Sequence, residues 1–246
     1  MHDFKDQRVI ITGGTRGIGR GLTQAFLNAG ATVIATYTSN DDAANEFKKE
    51  NEQYSDRLDV QKFDVTDVGA VKDFFNYLDD KYPSLEVLVN NSGIRQDSML
   101  AMMQDEQWAR VMDVNLNGTF YMSREVISRF MSNRYGRIIQ MSSIGGNLGL
   151  SGQANYAASK AGQMALTRSL SKEVAKKKIT VNCVCPGFIE TESIADLPEE
   201  QVKEYKKMVP VKRFGKVEEV ASAVMFLASK EASYITGTSI EVAGGL

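Results

Sequence analysis

Two side chains that could move a proton lie four positions apart in the segment YAASK, namely Tyr156 and Lys160. Residues at this spacing share one face of a helix, so a phenol and an ammonium group would be neighbours. A free tyrosine has a pKa of about 10, and a nearby ammonium favours the phenolate and lowers that pKa. We expect this pair to deliver a proton to a carbonyl oxygen while a hydride adds to the carbon. The same spacing also occurs in ordinary pairs on helix surfaces, so the surrounding motifs must decide.

Polar residues follow three of the predicted strands. Ser143 comes after the fifth strand, thirteen residues before Tyr156, and its hydroxyl could donate to a substrate oxygen. The segment NNSG (90–93) ends the fourth strand, and PGFIET (186–191) follows the sixth. Because ligands of parallel α/β sheets bind beyond the carboxyl ends of the strands, these motifs are expected on one rim.

A glycine-rich segment, TGGTRGIG (12–19), directly follows the first predicted strand. Gly13, Gly17 and Gly19 have the spacing G-x-x-x-G-x-G, a variant of the usual dinucleotide-binding G-x-G-x-x-G. Glycines let the backbone approach a pyrophosphate, and the N-terminus of the next helix offers free N–H groups. Strand-to-helix turns of proteins that bind no nucleotide also use glycine, but the position after the first strand favours a cofactor loop.

The end of the second strand indicates which dinucleotide is bound. NAD sites usually carry an acidic residue there, whereas this chain has Thr38 and Ser39, with no carboxylate before Asp41. Arg16 in the glycine loop could pair with a 2′-phosphate, although it could equally be solvated or cap a helix. The sequence therefore predicts NADPH/NADP+ as the cofactor.

Several functional classes are excluded by what the chain lacks. Its single histidine, His2, is next to the terminus, so neither a Ser-His-Asp triad nor a His-rich metal site can be built. Cys183 and Cys185 are two apart and should face the same side of a strand as buried, reduced thiols. A C-x-C pair without further ligands is a poor zinc site, so we expect no metal.

The chain has 246 residues, 43% of them hydrophobic and 24% charged, with a formal net charge of -2. These values are typical of one large α/β domain that binds neither nucleic acid nor membrane. No segment approaches the roughly 20 apolar residues of a membrane helix, and the N-terminus has no apolar signal core. We expect a cytoplasmic, single-domain protein covering residues 1–246.

Apolar runs alternate with amphipathic segments along the chain. The predicted strands are 8–12, 32–37, 60–65, 85–90, 137–142, 179–185 and 239–243. The predicted helices are 17–29, 42–53, 67–81, 105–132, 153–177, 199–207 and 217–229. This alternation predicts a doubly wound parallel sheet (Rossmann fold) with helices on both faces. Residues 186–216 are the least regular and are expected to form a mobile substrate flap.

Over its whole length the sequence resembles the short-chain dehydrogenases/reductases. The matching pieces are TGGTRGIG, Asp64, NNSG, Asn115 in DVNLNG, Ser143, YAASK and PGFIET. The resemblance implies that Tyr156 is the general acid, that Lys160 lowers the pKa of Tyr156 and holds the nicotinamide ribose, and that Ser143 orients the carbonyl. Asn115 would anchor a water that links Lys160 to solvent. The implied cofactor-binding residues are Gly13, Thr15, Arg16, Gly17, Ile18, Gly19, Thr38, Asp64, Val65, Asn91, Gly93, Tyr156, Lys160, Ile189 and Thr191.

Within that family the chain is most similar to bacterial 3-oxoacyl-[acyl-carrier-protein] reductases, as the strings GQANYAASKAG and ITVNCVCPGFIET indicate. It departs from them at Ser92, Gln96 and Met102 and in ending at GGL. The resemblance implies NADPH-dependent reduction of a 3-oxoacyl thioester in fatty acid synthesis and a homotetramer. Alternatives are an acetoacetyl-CoA reductase, another NADPH carbonyl reductase, or a non-catalytic NADP-sensing protein, against which the complete Asn–Ser–Tyr–Lys set argues.

Two surfaces would serve such a substrate. Met99, Met102 and Met103 could line an acyl tunnel, or pack in the core or against a subunit. An acidic acyl carrier protein would dock on basic residues, of which the resemblance favours Arg134 and Lys177. The other basic candidates are Arg129, Arg137, Lys172, Lys176 and Lys178. A solvated face is the alternative for these cations.

Overall fold

Seven parallel strands form one sheet with the order β3-β2-β1-β4-β5-β6-β7 in the computed structural model, which describes residues 3–192 and 198–246. The strands are β1 (Arg8–Ile11), β2 (Thr32–Tyr37), β3 (Leu58–Lys62), β4 (Val87–Asn90), β5 (Gly136–Met141), β6 (Ile179–Pro186) and β7 (Ser239–Val242). Strand order reverses between β1 and β4, which creates a crevice at their carboxyl ends. The predicted doubly wound fold is confirmed.

Helices cover both faces of the sheet. Among the described residues they are α1 (Gly17–Asn28), α2 (Asp41–Glu50), α3 (Val68–Lys81), α4 (Asp105–Met112), α5 (Gly118–Asn133), α6 (Gly145–Leu148), α7 (Ala154–Val174), α8 (Glu199–Met208) and α9 (Val217–Ala228). Alternate residues of β1 serve the two faces: Val9 packs with Phe26 of α1, whereas Ile10 packs with Phe75 of α3 and Phe130 of α5. This two-sided burial explains why the strands are almost continuously apolar.

Two predicted elements have different bounds. The third strand was expected at 60–65, but β3 ends at Lys62 because Lys62 pairs with Tyr37, the last residue of β2, and the ladder has no further partner. Asp64 therefore lies in the turn after β3. The predicted helix 105–132 is interrupted by a π-helical segment, Asp113–Asn117, in which Gly118 N donates to Asp113 O five residues earlier.

The predicted flap, 186–216, is described only in part, because residues 193–197 lie outside the described residues, as does His2. Within it, the ring of Phe188 stacks on that of Tyr205 in α8, with 4.6 Å between the ring centres. This contact holds α8 near the carboxyl end of β6, and the mobility of the flap stays a prediction. In residues 3–192 and 198–246, no helix is long and apolar enough to cross a membrane.

Candidate active site

The glycine loop is closely packed against the start of α1. A Cβ on Gly19 would lie 2.0 Å from the carbonyl oxygen of Gly13, so no larger residue fits there. Gly13 and Gly17 have positive φ angles of 64° and 52°, which favour glycine. Arg16 precedes α1, whose first turn has no side-chain cap and no acidic residue. The first N–H groups of the helix are therefore open to an anion, as a dinucleotide pyrophosphate requires.

Thr12 joins the glycine loop to the segment after β4. Its Oγ1 accepts hydrogen bonds from the backbone N–H groups of Asn91 and Ser92, both at 2.9 Å. The Asn91 side chain in turn donates to the carbonyl oxygens of Thr12 (2.9 Å) and Gly13 (3.2 Å). These bonds fix the crevice between β1 and β4. Thr12 was not among the predicted site residues, although a threonine directly between the strand and the glycines could have indicated it.

The carboxylate nearest the end of β2 is already paired. Asp41 accepts hydrogen bonds from Lys62 Nζ (2.7 Å) and from the Tyr37 hydroxyl (2.8 Å), and these bonds, that from Lys62 first, lower the pKa of Asp41. Arg16 is exposed and forms no ion pair with any residue of the described ranges. Thr38 lies beside them, with its Oγ1 3.5 Å from Phe63 O. This corner therefore has an unpaired cation and a neutralised acid.

The two residues expected beside the adenine lie in the turn after β3. Burial favours a higher pKa for Asp64, but hydrogen bonds from Thr66 and Arg110, the latter at 3.0 Å, outweigh it and lower that pKa. Val65 is buried against Gly118, where a Cβ would lie 2.6 Å from a Val65 methyl group. Gly118 thus allows α5 to approach this turn closely.

Tyr156 lies in the first turn of α7, with its ring beside the hydroxyl of Ser143. Burial raises the pKa of Tyr156, and this effect exceeds the opposing effect of Ser143. The phenol is consequently protonated at neutral pH, as a proton donor must be. Lys160 Nζ is 5.6 Å from the Tyr156 ring centre, and the expectation that Lys160 lowers the pKa of Tyr156 stays a prediction.

Lys160 is only 4% exposed, and its ammonium has neutral partners. Nζ donates to Met141 O at 2.7 Å and to Gln163 Oε1 at 3.2 Å, and no described carboxylate pairs with it. Burial disfavours the charged form and lowers the pKa of Lys160 to about 8. A Cβ on Gly93 would lie 3.4 Å from Nζ, so glycine there leaves the ammonium its space.

Asn115 lies in the π-helical segment and is fully buried. Its side chain accepts from Ile94 N (2.8 Å) and donates to Ile94 O and Ser159 Oγ, both at 3.0 Å. The segment after β4 is thereby joined to α7 beside Lys160. Asn155 makes a similar link, because its amide donates to Gln96 O at 3.0 Å. Asn155 was another residue that our sequence analysis passed over.

A cavity of about 560 Å³ extends from the glycine loop to Tyr156. Predicted site residues that line it are Arg16, Ile18, Asn91, Gly93, Tyr156, Lys160, Ile189 and Thr191. Ser143 lies next to Tyr156, and Asn115 binds the backbone of Ile94, which lines the cavity. Asp64, Val65 and Thr38 lie near the ends of β2 and β3. A larger cavity of about 830 Å³ between α1 and α9 contains none of the four predicted catalytic side chains.

The two thiols are buried side by side with Met164, as the alternation in β6 predicted. Burial raises the pKa of both Cys183 and Cys185, so the thiolate form is disfavoured. They are packing residues of low reactivity.

Two of the arginines considered for docking of a carrier protein are already held by other groups of the chain. Arg137 is 3% exposed and donates to backbone carbonyl oxygens, including that of Ser229, so it belongs to no docking surface. Arg129 is held by two hydrogen bonds to Asp79, at 2.7 and 2.6 Å. Arg134 and Lys177 lie where β5 and β6 begin, at the sheet edge opposite Tyr156. Met99 and Met102 are 58% and 72% exposed, which excludes the core packing considered for them.

Comparisons with known proteins match almost the whole chain. A family model described as enoyl-(acyl carrier protein) reductase matches residues 13–246. The 3-oxoacyl-[acyl-carrier-protein] reductase FabG of Salmonella typhimurium is 40% identical over 99% of this chain and 98% of its own length. An acetoacetyl-CoA reductase of Shinella zoogloeoides is 42% identical over 96% of each chain. A solved structure from Agrobacterium tumefaciens, described as a gluconate dehydrogenase, superposes with a TM-score of 0.93 at 29% identity, covering 99% of this chain and 96% of its own.

Proposed function

Because the chain belongs to the short-chain dehydrogenase/reductase family, whose members interconvert C=O and CH–OH groups, we propose that it reduces 3-oxoacyl thioesters carried by an acyl carrier protein, using NADPH. The observation that carries this proposal is the meeting of Ser143, Tyr156 and Lys160 at one end of the cavity that begins at the glycine loop. Full-length similarity to several 3-oxoacyl-[acyl-carrier-protein] reductases gives the substrate class.

The residues of the chain supply the proton side of the reaction. A nicotinamide dinucleotide bound in the cavity supplies the hydride. Tyr156, kept protonated by burial, donates its proton to the carbonyl oxygen, and Ser143 orients that oxygen through its own hydroxyl. The ammonium of Lys160 has two of its three donors occupied by Met141 O and Gln163 Oε1, which leaves one for a ribose hydroxyl. The positive charge also stabilises the phenolate that forms.

The preference for NADPH rests on the corner beside β2. Exposed Arg16 can pair with a 2′-phosphate, and the nearby carboxylate of Asp41 is neutralised by Lys62. The first turn of α1 has no side-chain cap, so its N–H groups can bind a pyrophosphate. The close approach of Gly19 to Gly13 keeps the glycine loop packed against this turn. These features support binding of NADP(H). Between the end of β2 and Asp41, the sequence has no acidic residue that could bind the 2′-hydroxyl of NAD.

The group that carries the 3-oxoacyl thioester has to be determined by assay. An acetoacetyl-CoA reductase and a carrier-protein enzyme are equally similar to this chain, at 42% identity. A panel of acetoacetyl-carrier protein, acetoacetyl-CoA and simple ketones, each assayed with NADPH, separates the candidates. We expect the highest kcat/KM with the carrier-protein substrate. Turnover of simple ketones alone would replace the proposal with a general carbonyl reductase.

Docking of the carrier protein is proposed at exposed Arg134 and at Lys177, since Arg137 is buried and Arg129 is paired. Reversal of both charges to glutamate should weaken use of the carrier-protein substrate, most strongly at low salt, and leave acetoacetyl-CoA reduction unchanged. Lys49→Glu, an exposed reversal on α2, is the matched control. Equal loss with both substrates would contradict docking at this pair.

We also propose a homotetramer in the cytoplasm. Trp108 on α4 and Phe120 on α5 are 40% and 42% exposed, and a subunit contact would bury these two large apolar side chains. The small residues of α7 give less support, because Gly162 packs against Leu116 of the same chain. A monomer in sedimentation at micromolar concentration would contradict the proposal, and a tetramer that Trp108→Glu dissociates would support it.

A further inference from the structure

A buried glutamine, Gln163, lies one helical turn after Lys160 on α7 and has no exposed surface. Its Oε1 accepts from Lys160 Nζ at 3.2 Å. Its Nε2 donates to Asn115 O at 2.7 Å and to Thr119 Oγ1 at 2.8 Å. The amide therefore bridges the ammonium and the π-helical segment. Its orientation is fixed by chemistry, because an ammonium only donates and a backbone carbonyl only accepts.

The bridge also occupies the backbone carbonyl of Asn115. That oxygen receives Gln163 Nε2 and, at 2.7 Å, the hydroxyl of Thr119. A carbonyl oxygen has two lone pairs, so both of its acceptor positions are used by protein groups. The family resemblance assigns to Asn115 a water that leads from Lys160 to solvent. In this chain an amide side chain fills the place between Lys160 and that carbonyl.

We propose that Gln163 is a positioning residue that holds the Lys160 ammonium in its charged form and directs the remaining N–H of Nζ toward the cavity. An ammonium without a carboxylate depends on neutral acceptors, and Met141 O and Gln163 Oε1 are the two that Lys160 has in the described ranges. An amide can orient a proton donor but does not pass a proton on as water does. The proton that Tyr156 gives up in each turnover is therefore replaced from the cavity side and not through Gln163.

The titratable groups that face Nζ are Tyr156 on the same helix and the thiols of Cys183 and Cys185 on β6. Both thiols are protonated at neutral pH because burial raises the pKa of each. The inference rests on the proposed function only in the role that it gives to Lys160. The titration of Lys160 itself can be measured without cofactor or substrate.

The test is NMR of the full-length protein labelled with ¹³Cε-lysine, in which the Lys160 signal is the one that Lys160→Met removes. In wild type the pKa of Lys160 should be about 8. Gln163→Leu removes the acceptor and should lower the pKa of Lys160 by about one, because a hydrogen bond to a charged group is lost. Gln163→Glu keeps an acceptor and adds a negative charge, so it should raise that pKa above the wild-type value.

Thr167→Val is the matched control, since Thr167 is buried one turn further along α7 and contacts Cys183 rather than Lys160. It should cost stability without changing the Lys160 titration. The pH profile of kcat should shift with the Lys160 pKa in both Gln163 variants. If Gln163→Leu does not fold, Gln163→Glu alone decides. An unchanged Lys160 titration in whichever variant folds makes Gln163 a packing residue only, whereas absence of turnover in wild type contradicts the proposed function and leaves the titration result valid.

Discussion

Two lysines at opposite ends of the strands differ in burial and in partners: the side chain of Lys81 is 45% exposed, whereas Lys160 is buried. Lys81 lies at the edge where the strands begin, and burial disfavours its charge. Hydrogen bonds with Tyr77 (2.6 Å) and Asp59 (2.9 Å) outweigh that burial and raise its pKa above the ordinary value. Lys160 lies at the edge where the strands end, has only neutral partners, and has a pKa lowered to about 8.

A similar contrast holds for Arg16, although the ion pairs Asp41–Lys62 and Asp64–Arg110 also lie where the strands end. Where the strands begin, Arg8 pairs with Glu86 and Arg129 with Asp79, so the charges stabilise the fold. Where the strands end, Arg16 is unpaired among the described residues and the first turn of α1 is uncapped. Side chains that satisfy one another contribute to stability, whereas those left unsatisfied are available to a ligand.

The largest expected effect is on the catalytic edge. Tyr156→Phe removes the proton donor but keeps the ring that fills the site, so turnover should fall about 10²–10⁴-fold with the fold retained. NADPH consumption and circular dichroism of the variant measure both. Retention of more than about a tenth of wild-type turnover would remove Tyr156 from its role.

The next expected effect is a difference between Lys160 and Lys81 in how each contributes to the free energy of unfolding as the pH changes. Because the folded pKa of Lys160, about 8, is below its unfolded value of 10.5, the unfolded chain binds more protons between these pH values. The free energy of unfolding should therefore gain up to about 3 kcal/mol from Lys160 as the pH rises from 8 to 10.5. Lys160→Met should flatten this part of the stability curve, as measured by urea unfolding.

Lys81→Met is the control for that experiment. The raised pKa of Lys81 keeps its contribution at full strength below 10.5, so its removal should lower stability without flattening the curve between pH 8 and 10. Curves of equal slope for wild type and Lys160→Met would show that the ammonium of Lys160 has a partner that outweighs its burial.

A smaller effect is expected at the opposite edge. Asp59 accepts hydrogen bonds from Tyr77, Lys81 and Tyr82, at 2.8, 2.9 and 3.0 Å. Burial raises the pKa of Asp59, but these bonds and that from Gln61 outweigh it and lower the pKa below 3.8. Asp59→Asn should cost about 1–3 kcal/mol of stability at pH 7, with kcat unchanged.

That loss should diminish in acid, because the stabilisation by Asp59 is present above its unfolded pKa and is lost as pH falls through the folded one. Asp79→Asn, at a pair in which Asp79 is 51% exposed, should cost less than about 1 kcal/mol. If Asp59→Asn reduces kcat as strongly as stability, the two edges are not independent.

The last expected effect concerns the cofactor. Wild type should prefer NADPH over NADH by at least about tenfold, which corresponds to roughly 1.4 kcal/mol. Arg16→Ala should lower the efficiency with NADPH and leave that with NADH unchanged, and Tyr37→Asp should shift the preference toward NADH. Equal kcat/KM of wild type for the two cofactors would contradict the role proposed for Arg16.

The sequence predicted the positions of Tyr156 and Lys160 better than those of the residues that hold them in place. The alternation of apolar strands and amphipathic helices, together with TGGTRGIG and YAASK, was sufficient for the fold and for placing Tyr156 and Lys160. These features depend on local spacing, which one sequence shows. Gln163 was also accessible in principle, because it is three residues from Lys160 on the same helix.

The remaining differences come from contacts between distant segments. The π-helical segment 113–117 lies beside Gly118, which packs against Val65, and no local pattern reveals that approach. Arg137 lies at the start of an apolar strand and could have been exposed, but its guanidinium donates to carbonyl oxygens 41 and 92 residues away. The effect of burial, which raises the pKa of Tyr156, could not be predicted from the sequence because burial depends on the whole site.

The proposed reduction can be tested by incubating the wild-type protein with NADPH and acetoacetyl-carrier protein and analysing the thioester by mass spectrometry. We expect one 3-hydroxyacyl thioester to form for each NADPH oxidised. Binding of NADPH without its oxidation by any 3-oxoacyl thioester would contradict the account and would favour a protein that senses the cofactor without catalysing a reaction.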